Sequence, residues 1–300
     1  MIDRITGRAP NRRYRVELYG LLTPYLLGTL VLVAVPAGLS LVLAFTYFDG
    51  TAPPFWTGLQ NFREIASDPL LWISLGNSLY FIILAVPLRV LGALLLALLL
   101  NRPRRGTGVY RAAVYLPTVV PDIAYALIWL WVLNPFYGPL NKALALFGLD
   151  GPAWLVNPDT ARLAFVMMAL FQIGEGFVIM LAGLKGIPGE YYEAAEIDGG
   201  NWRQLFRYIT LPFLTPWLVL LTFRDLILSF QYTFTPSVIM TGGDPYYATL
   251  FLPLLIFEEA FDRFRFGPGS AMMLLMFLVT LGLLWLLYRL FKGWGYDQQV

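Results

Sequence analysis

The sequence contains neither cysteine nor histidine among its 300 residues. These absences exclude disulfide frameworks, thiolate nucleophiles, zinc sites built from Cys and His, and Ser-His-Asp triads. A carboxylate-only site for a hard cation is left open. The chain also has no G-x-x-x-x-G-K-[ST] phosphate loop and no G-x-S-x-G nucleophile elbow. We therefore predict no catalytic residue and no cofactor in this chain, and we assign no residue to a metal site.

Charge is also scarce, since charged residues make up 13% of the chain and hydrophobic residues 58%. Soluble domains usually carry about 25% charged residues, so a soluble globule could not keep this much apolar surface from water. No basic tract interleaved with aromatic residues indicates a nucleic-acid partner. The composition predicts an integral membrane protein in contact with lipid.

Six apolar runs are long enough to cross roughly 30 Å of hydrocarbon as helices of about 20 residues. They predict an all-α polytopic membrane protein with a transmembrane domain over residues 21–291, between an N-terminal arm (1–20) and a tail (292–300). The predicted spans are Leu21–Tyr47, Ile73–Leu100, Ala112–Leu133, Ala161–Leu184, Leu211–Phe230 and Ala271–Phe291.

Lys and Arg are concentrated on one side of these spans. Most lie in the N-terminal arm, the second-to-third connection, the fourth-to-fifth connection and the tail. Because connections rich in Lys and Arg stay in the cytoplasm, this distribution predicts a multi-pass membrane protein with both termini cytoplasmic.

The connection over residues 186–212 has signals for two short helices. Pro188 suits a helix start, and Gly199 and Gly200 favour a helix end because glycine tolerates left-handed backbone. Asn201 can cap a second helix, with Gln204 as its capping-box partner. These signals predict a helix, a sharp turn and a second helix. By themselves they are also compatible with an ordinary connector between two spans.

The same connection resembles the EAA signature of ABC importer permeases. The resemblance rests on Glu193-Ala194-Ala195, on Asp198-Gly199 and on Leu211-Pro212. Gly200 departs from the pattern, which usually has alanine there. Further stretches resemble the carbohydrate-uptake, maltose-permease (MalF-like) group, namely Trp56-Thr57-Gly58-Leu59, Leu181-Ala182-Gly183-Leu184 and Thr241-Gly242-Gly243.

This resemblance implies a type I importer permease of the prokaryotic inner membrane that takes up a sugar, oligosaccharide or polyol. The chain would form half of the pore with a second permease subunit as a heterodimer. Two ATPase subunits would bind ATP and Mg, and an extracytoplasmic solute-binding protein would deliver the substrate. The ATPase-coupling residues implied are Glu193, Ala194, Ala195, Asp198 and Gly199.

Polar side chains also fall inside the predicted spans, where charges are costly and usually face a partner or a water-filled cavity. Both interpretations are open for Arg89, Asp122, Glu175, Arg224 and Asp225. In MalF-like subunits the corresponding parts of the fourth and fifth spans line the sugar site. The candidate pathway residues are therefore Gln172, Glu175, Phe177, Ser229, Phe230, Gln231 and Tyr232.

The alternative function is an ion-coupled secondary transporter, which would also be polytopic with buried carboxylates. Such transporters more often show inverted repeats and helices broken at the midplane. The sequence shows no convincing repeat, and this class does not require an EAA segment.

Overall fold

The computed structural model describes residues 12–292, and their side chains from residue 16 onward. The chain divides into two compact units. The first unit runs to Ile65 and takes in Glu259–Leu274, and the second comprises Ala66–Glu258 together with the residues from Leu275 onward. Arg4, Arg8 and nearly all of the predicted tail lie outside the described residues.

The first unit begins with one long helical segment. Helix α1 (Arg12–Thr29) continues through a π-helical turn (Leu30–Ala34) into α2 (Val35–Leu43). The part over Val16–Leu43 is apolar enough to span a membrane, and its most apolar window has no buried residue, so its faces are available to lipid or another subunit. An antiparallel hairpin of β1 (Thr46–Tyr47) and β2 (Phe55–Trp56) follows, then α3 (Gln60–Ser67).

The second unit is built on α4 (Pro69–Leu100), α9 (Gly174–Lys185) and α12 (Leu211–Pro236), which pack on one another around a shared core. Small residues let these helices approach closely, as in membrane bundles generally. A Cβ at Gly183 would lie 2.8 Å from the Trp217 ring. The largest core side chains on these helices include Phe177, Met180, Leu214 and Leu221.

The remaining helices complete both units. They are α5 (Thr107–Tyr115), α6 (Asp122–Val132), α7 (Pro139–Leu146), α8 (Pro158–Phe171), α10 (Gly189–Ile197), α11 (Trp202–Leu205), α13 (Leu252–Phe257) and α14 (Phe266–Phe291). Shorter 3-10 or π-helical turns cover Leu116–Val119, Phe206–Thr210, Ser237–Thr241 and Glu258–Asp262.

Within the described residues, four helices are long and apolar enough to cross a membrane, and counting each of two bent helix pairs as one span gives six. The predicted fold class is thus confirmed. The third and fourth predicted spans, Ala112–Leu133 and Ala161–Leu184, are not single straight helices. The chain bends by 103° between Thr107–Val119 and Asp122–Val132 and by 44° between Pro158–Phe171 and Gly174–Lys185.

Proline accounts for the first of these breaks, and a glycine required by close packing lies at the second. Val120, which precedes Pro121, has extended backbone (ψ 127°), as expected for a residue before proline, and α6 starts anew at Asp122. In the fourth segment α8 ends at Phe171 and α9 starts at Gly174. A Cβ at Gly174 would lie 2.8 Å from the Cα of Tyr115, so close backbone packing requires glycine there.

Several predicted boundaries also shift. The first helical segment ends at Leu43 rather than Tyr47, which is in a strand, and it begins within the predicted N-terminal arm. The fifth span belongs to a helical stretch that runs over Trp202–Thr241, well beyond Leu211–Phe230. Such extensions arise because hydropathy marks the apolar centre of a helix, whereas caps and prolines set its ends.

Candidate functional site

Ion pairs between α4, α9 and α12 bring together four charged side chains predicted to lie within spans. We call Arg89, Glu175, Arg224 and Asp225 the membrane charge cluster. Arg89 Nε lies 3.4 Å from Asp225 Oδ2, and both side chains are only 3% exposed. Arg224 Nη1 lies 3.1 Å from the other oxygen of Asp225, and Arg224 also pairs with Glu175. The cluster therefore runs from a buried pair to a more exposed pair.

Arg89 is the most buried member and contacts two candidate pathway residues. Its guanidinium lies 4.2 Å from the centre of the Tyr232 ring, a cation–π distance. Its Nη2 donates to the backbone carbonyl of Gln172 at 3.2 Å. Nε and Nη1 make no hydrogen bond within the residues that the structure describes. The buried Arg89 charge therefore depends strongly on the Asp225 carboxylate, and the Tyr232 ring adds a weaker contact.

The candidate pathway residues separate into two groups. In the first group, Arg89 contacts Gln172 and Tyr232, and Arg224 pairs with Glu175. Gln231 belongs to this group as the exposed neighbour of Tyr232. Phe177, Ser229 and Phe230, by contrast, are buried. The two phenylalanines belong to the core of α4, α9 and α12, and the Ser229 hydroxyl donates to the backbone of Asp225. A pathway role suits the first group better, and packing accounts for the second.

Asp122 lies apart from these ion pairs. It is exposed in the first turn of α6, where a carboxylate is favoured by the positive helix start. Sequence reasoning identified the charged members of the cluster but not the Arg89–Asp225 pair or the stacking of Arg89 on Tyr232. These residues are more than a hundred positions apart, and the only sequence signal for them was a charge within an apolar run.

The second candidate site is the exposed segment Gly189–Leu205, which contains α10 and α11 and which we call the coupling segment. Its turn has the geometry predicted from the sequence. Gly199 has φ +79°, and the amides of Gly199 and Gly200 donate to Glu196 and Ala195 in a Schellman motif. The Asn201 side chain caps α11 by accepting from the backbone amides of Arg203 and Gln204. The Gln204 side chain accepts in turn from the Asn201 amide and completes a capping box.

Two aromatic side chains tie the coupling segment to the start of α12. The Tyr192 hydroxyl lies 2.9 Å from Thr210 Oγ1, and the Tyr191 ring lies 5.0 Å from the Phe213 ring. These contacts hold the segment on a membrane-spanning helix through both a hydrogen bond and ring packing.

The predicted coupling residues themselves lie at the surface. Glu193, Ala194, Asp198 and Gly199 are exposed, and Ala195 is half-buried. Two large apolar side chains beside them are exposed as well, Ile197 at 86% and Trp202 at 73%. Apolar surface of this kind, with small residues that permit close approach, is typical of a protein interface.

Within the described residues, no group of three or more Asp or Glu side chains is placed to hold a metal ion. The structure therefore supplies no candidate for the carboxylate site that the composition left open.

Apolar spans, paired charges on three of these helices and an exposed helical segment are the features of a polytopic membrane transport subunit. Residues 89–294 match the family of binding-protein-dependent transport system inner membrane components. The chain belongs to this family, and it is a membrane permease subunit of an ABC importer. The match does not support the ion-coupled alternative, although broken helices are present.

Individual proteins show how far the likeness extends. A probable ABC transporter permease protein of Bacillus subtilis, YesP, is 38% identical over 95% of this chain and 92% of its own. The trehalose/maltose transport system permease protein MalF of Thermococcus litoralis is 33% identical over 94% and 95%. A bacterial ABC transporter that imports the acidic polysaccharide alginate has a similar fold, with TM-score 0.82 and 21% identity over 94% of this chain and 96% of that one.

Proposed function

We propose that this permease imports an uncharged sugar, oligosaccharide or polyol. It forms half of the pore with a second permease subunit, and an extracytoplasmic solute-binding protein supplies the substrate. Two ATPase subunits bind ATP and Mg and hydrolyse the ATP. The similarity to a permease named for trehalose and maltose supports a saccharide as substrate.

The proposal of an uncharged substrate rests on the charge balance of the membrane charge cluster. Arg224 lies against both Glu175 and Asp225, and Arg89 lies against Asp225, so two guanidinium groups face two carboxylates. An anionic substrate would need a positive charge that is not already paired, because an excess charge in the membrane is costly. The cluster offers paired charges whose remaining lone pairs and N–H groups suit hydroxyl groups.

The more exposed members have the chemistry that saccharide binding requires. Glu175 is about half exposed and can accept from hydroxyls, and Gln231 is exposed and can both donate and accept. The partly buried Tyr232 ring offers a flat apolar surface fixed by Arg89. Gln172, Glu175, Gln231 and Tyr232 are the pathway residues in this proposal.

The coupling segment supplies the link to ATP hydrolysis. Arg203 within the segment and Lys185 and Arg207 beside it support the proposed orientation, in which the segment and both termini are cytoplasmic. Glu193, Ala194, Ala195, Asp198 and Gly199 face the ATPase, whose closure on ATP moves the segment. Because Tyr192 and Tyr191 tie the segment to α12, that motion passes to a membrane span as a rigid-body shift and drives alternating access.

Uptake by the complete transporter in proteoliposomes tests the substrate proposal. Labelled maltose and trehalose are offered with ATP inside, and unlabelled sugars or sugar phosphates compete. We expect neutral sugars to compete and sugar phosphates to have little effect. Glu175→Gln, which leaves Arg224 with one carboxylate, should raise competition by sugar phosphates. A wild-type transporter that prefers the phosphates would contradict the proposal.

A further inference from the structure

The first unit contains a cleft of about 360 Å³. The proposed import pathway at the membrane charge cluster does not use this cleft. Its volume is within the range of about 300–1,000 Å³ that ligand sites commonly occupy. The cleft is lined by the β1–β2 hairpin, the start of α3 and the residues around the start of α14. We call it the first-unit cleft.

Three exposed aromatic rings line the first-unit cleft. Tyr47 and Phe55 are paired across the hairpin, and their rings stack with centres 5.0 Å apart. Phe264 adds a third ring that is 62% exposed. Its backbone has φ +54°, a conformation that bulky residues seldom adopt and that clusters at functional sites. The fold thus holds large apolar rings at the surface of a cavity instead of burying them.

Hydrogen-bond donors and acceptors lie among these rings. Arg265 pairs with Glu64, and its Nη1 lies 2.6 Å from Glu259 Oε1. Gln60 adds an amide to the lining. The Asp49 carboxylate accepts from the Thr51 amide and hydroxyl, and these bonds hold the pKa of Asp49 below its usual value. The cleft therefore presents donors and charged acceptors beside flat apolar surfaces.

The walls of the cleft are firmly built. Glu259 is buried and lies 2.7 Å from Arg263 as well as against Arg265. The Asn61 amide donates to two backbone carbonyls, at 2.9 and 2.8 Å, and a Cβ at Gly267 would lie 2.3 Å from the Thr46 carbonyl. Close packing and satisfied polar groups fix the shape of the cleft before any ligand arrives, which lowers the cost of binding.

We propose that the first-unit cleft is a second saccharide site, separate from the pathway residues of the membrane charge cluster. The rings of Tyr47, Phe55 and Phe264 pack on the apolar faces of sugar rings, and Gln60, Glu64 and Arg265 bind hydroxyls. The choice of a saccharide rests on the proposed function. In the proposed orientation, the connections that form the cleft lie on the outer side, where substrate is released from the binding protein.

Fluorine NMR on the complete transporter in lipid nanodiscs tests this site locally. A trifluoromethyl-phenylalanine replaces Phe264 in one sample and Phe136, an exposed ring of the second unit, in a matched control. Titration with maltose, trehalose or lactose should shift the signal at position 264 saturably in the millimolar range and leave position 136 unchanged. Gln60→Ala should weaken the response at 264 by about tenfold.

Other outcomes would overturn the proposal. One such outcome is no saturable shift at position 264 with any of the three sugars, and another is equal shifts at both positions. A third is a shift at 264 when only the lipid is exchanged, which would show that the ring lies at the membrane interface. Uptake assayed on the same samples separates this site from the proposed function. Uptake without a response at 264 rejects only the cleft, whereas a response at 264 without uptake supports the cleft and rejects import of that sugar.

Discussion

The coupling segment and the membrane charge cluster belong to the same compact unit but are specified in opposite ways. The coupling segment lies within residues 189–205, and its turn, cap and exposed face follow from neighbouring residues. The cluster joins Arg89, Glu175 and Asp225 from three helices and is stabilised by burial and pairing. The first should therefore tolerate changes without loss of the fold, whereas the buried Arg89–Asp225 pair of the second should not.

The largest effect is expected for Asp225→Ala, which removes the carboxylate that faces both Arg89 and Arg224. A buried charge left without its partner typically destabilises by about 3–5 kcal/mol. We expect a severe loss of folded protein and of thermal stability in detergent, measured by size-exclusion chromatography and a melting assay.

A paired change sharpens this test. Arg89→Met with Asp225→Leu removes both charges and keeps apolar volume, so it should recover most of the lost stability. Glu175→Gln alters a half-exposed partner and should change stability little. If Asp225→Ala melts like the wild type, the Arg89–Asp225 pair does not stabilise the bundle.

The next largest effect is expected for Gly199→Pro in the coupling segment. Proline cannot adopt φ +79°, and it removes the amide that donates to Glu196, at a local cost of about 3 kcal/mol. Because the turn is exposed, the membrane bundle should remain folded while ATP-driven uptake is lost.

Gly189→Ala serves as the matched control, since open space surrounds that glycine at the start of α10. It should retain both folding and ATP-driven uptake. Normal uptake and substrate-stimulated ATPase activity in Gly199→Pro would reject the coupling role of this turn.

Smaller effects, larger on uptake than on stability, are expected at Tyr232 and Gln231 beside the charge cluster. Tyr232→Ala removes the ring under Arg89, and Gln231→Ala removes an exposed amide. Each should raise the sugar concentration for half-maximal uptake by about tenfold, as the loss of one good polar or stacking contact does. Unchanged affinity and rate in Tyr232→Ala, Gln231→Ala and Glu175→Gln together would place the pathway elsewhere.

The smallest effect is expected for Asn201→Ala, which removes the cap of α11. Loss of such a cap usually costs about 1 kcal/mol. We expect partial uncoupling, seen as fewer sugar molecules imported per ATP hydrolysed, with wild-type expression. A coupling ratio equal to that of the wild type would show that α11 needs no cap to transmit motion.

The contrast between the two regions also explains what the sequence could predict. Apolar runs identified six membrane segments, and glycine and Asn-Gln signals predicted the coupling turn, because these features are local. The sizes of the bends in the third and fourth segments could not be predicted, because Pro121 and Gly174 mark a point where a helix can break but not the angle at which the chain continues. Hydropathy reports whether a residue favours lipid and contains no information about helix direction.

The cluster and the first-unit cleft show the same limit. The sequence left either a partner or a water-filled cavity open for Arg224 and Glu175, and the structure pairs them with each other. Nothing in the sequence indicated that Arg89 would lie on Tyr232 or that Arg265 would pair with Glu64 and Glu259, because such partners are set by packing between distant segments.

Co-purification in mild detergent tests the central claim most directly. The tagged chain is isolated from its native membranes, and bound proteins are identified by mass spectrometry in the wild type and in Ala194→Asp, which places a charge on the exposed face of α10. We predict that the wild type recovers a P-loop ATPase and a second permease, and that Ala194→Asp loses the ATPase but keeps the permease. Equal recovery of the ATPase with Ala194→Asp, or none with the wild type, would contradict this account.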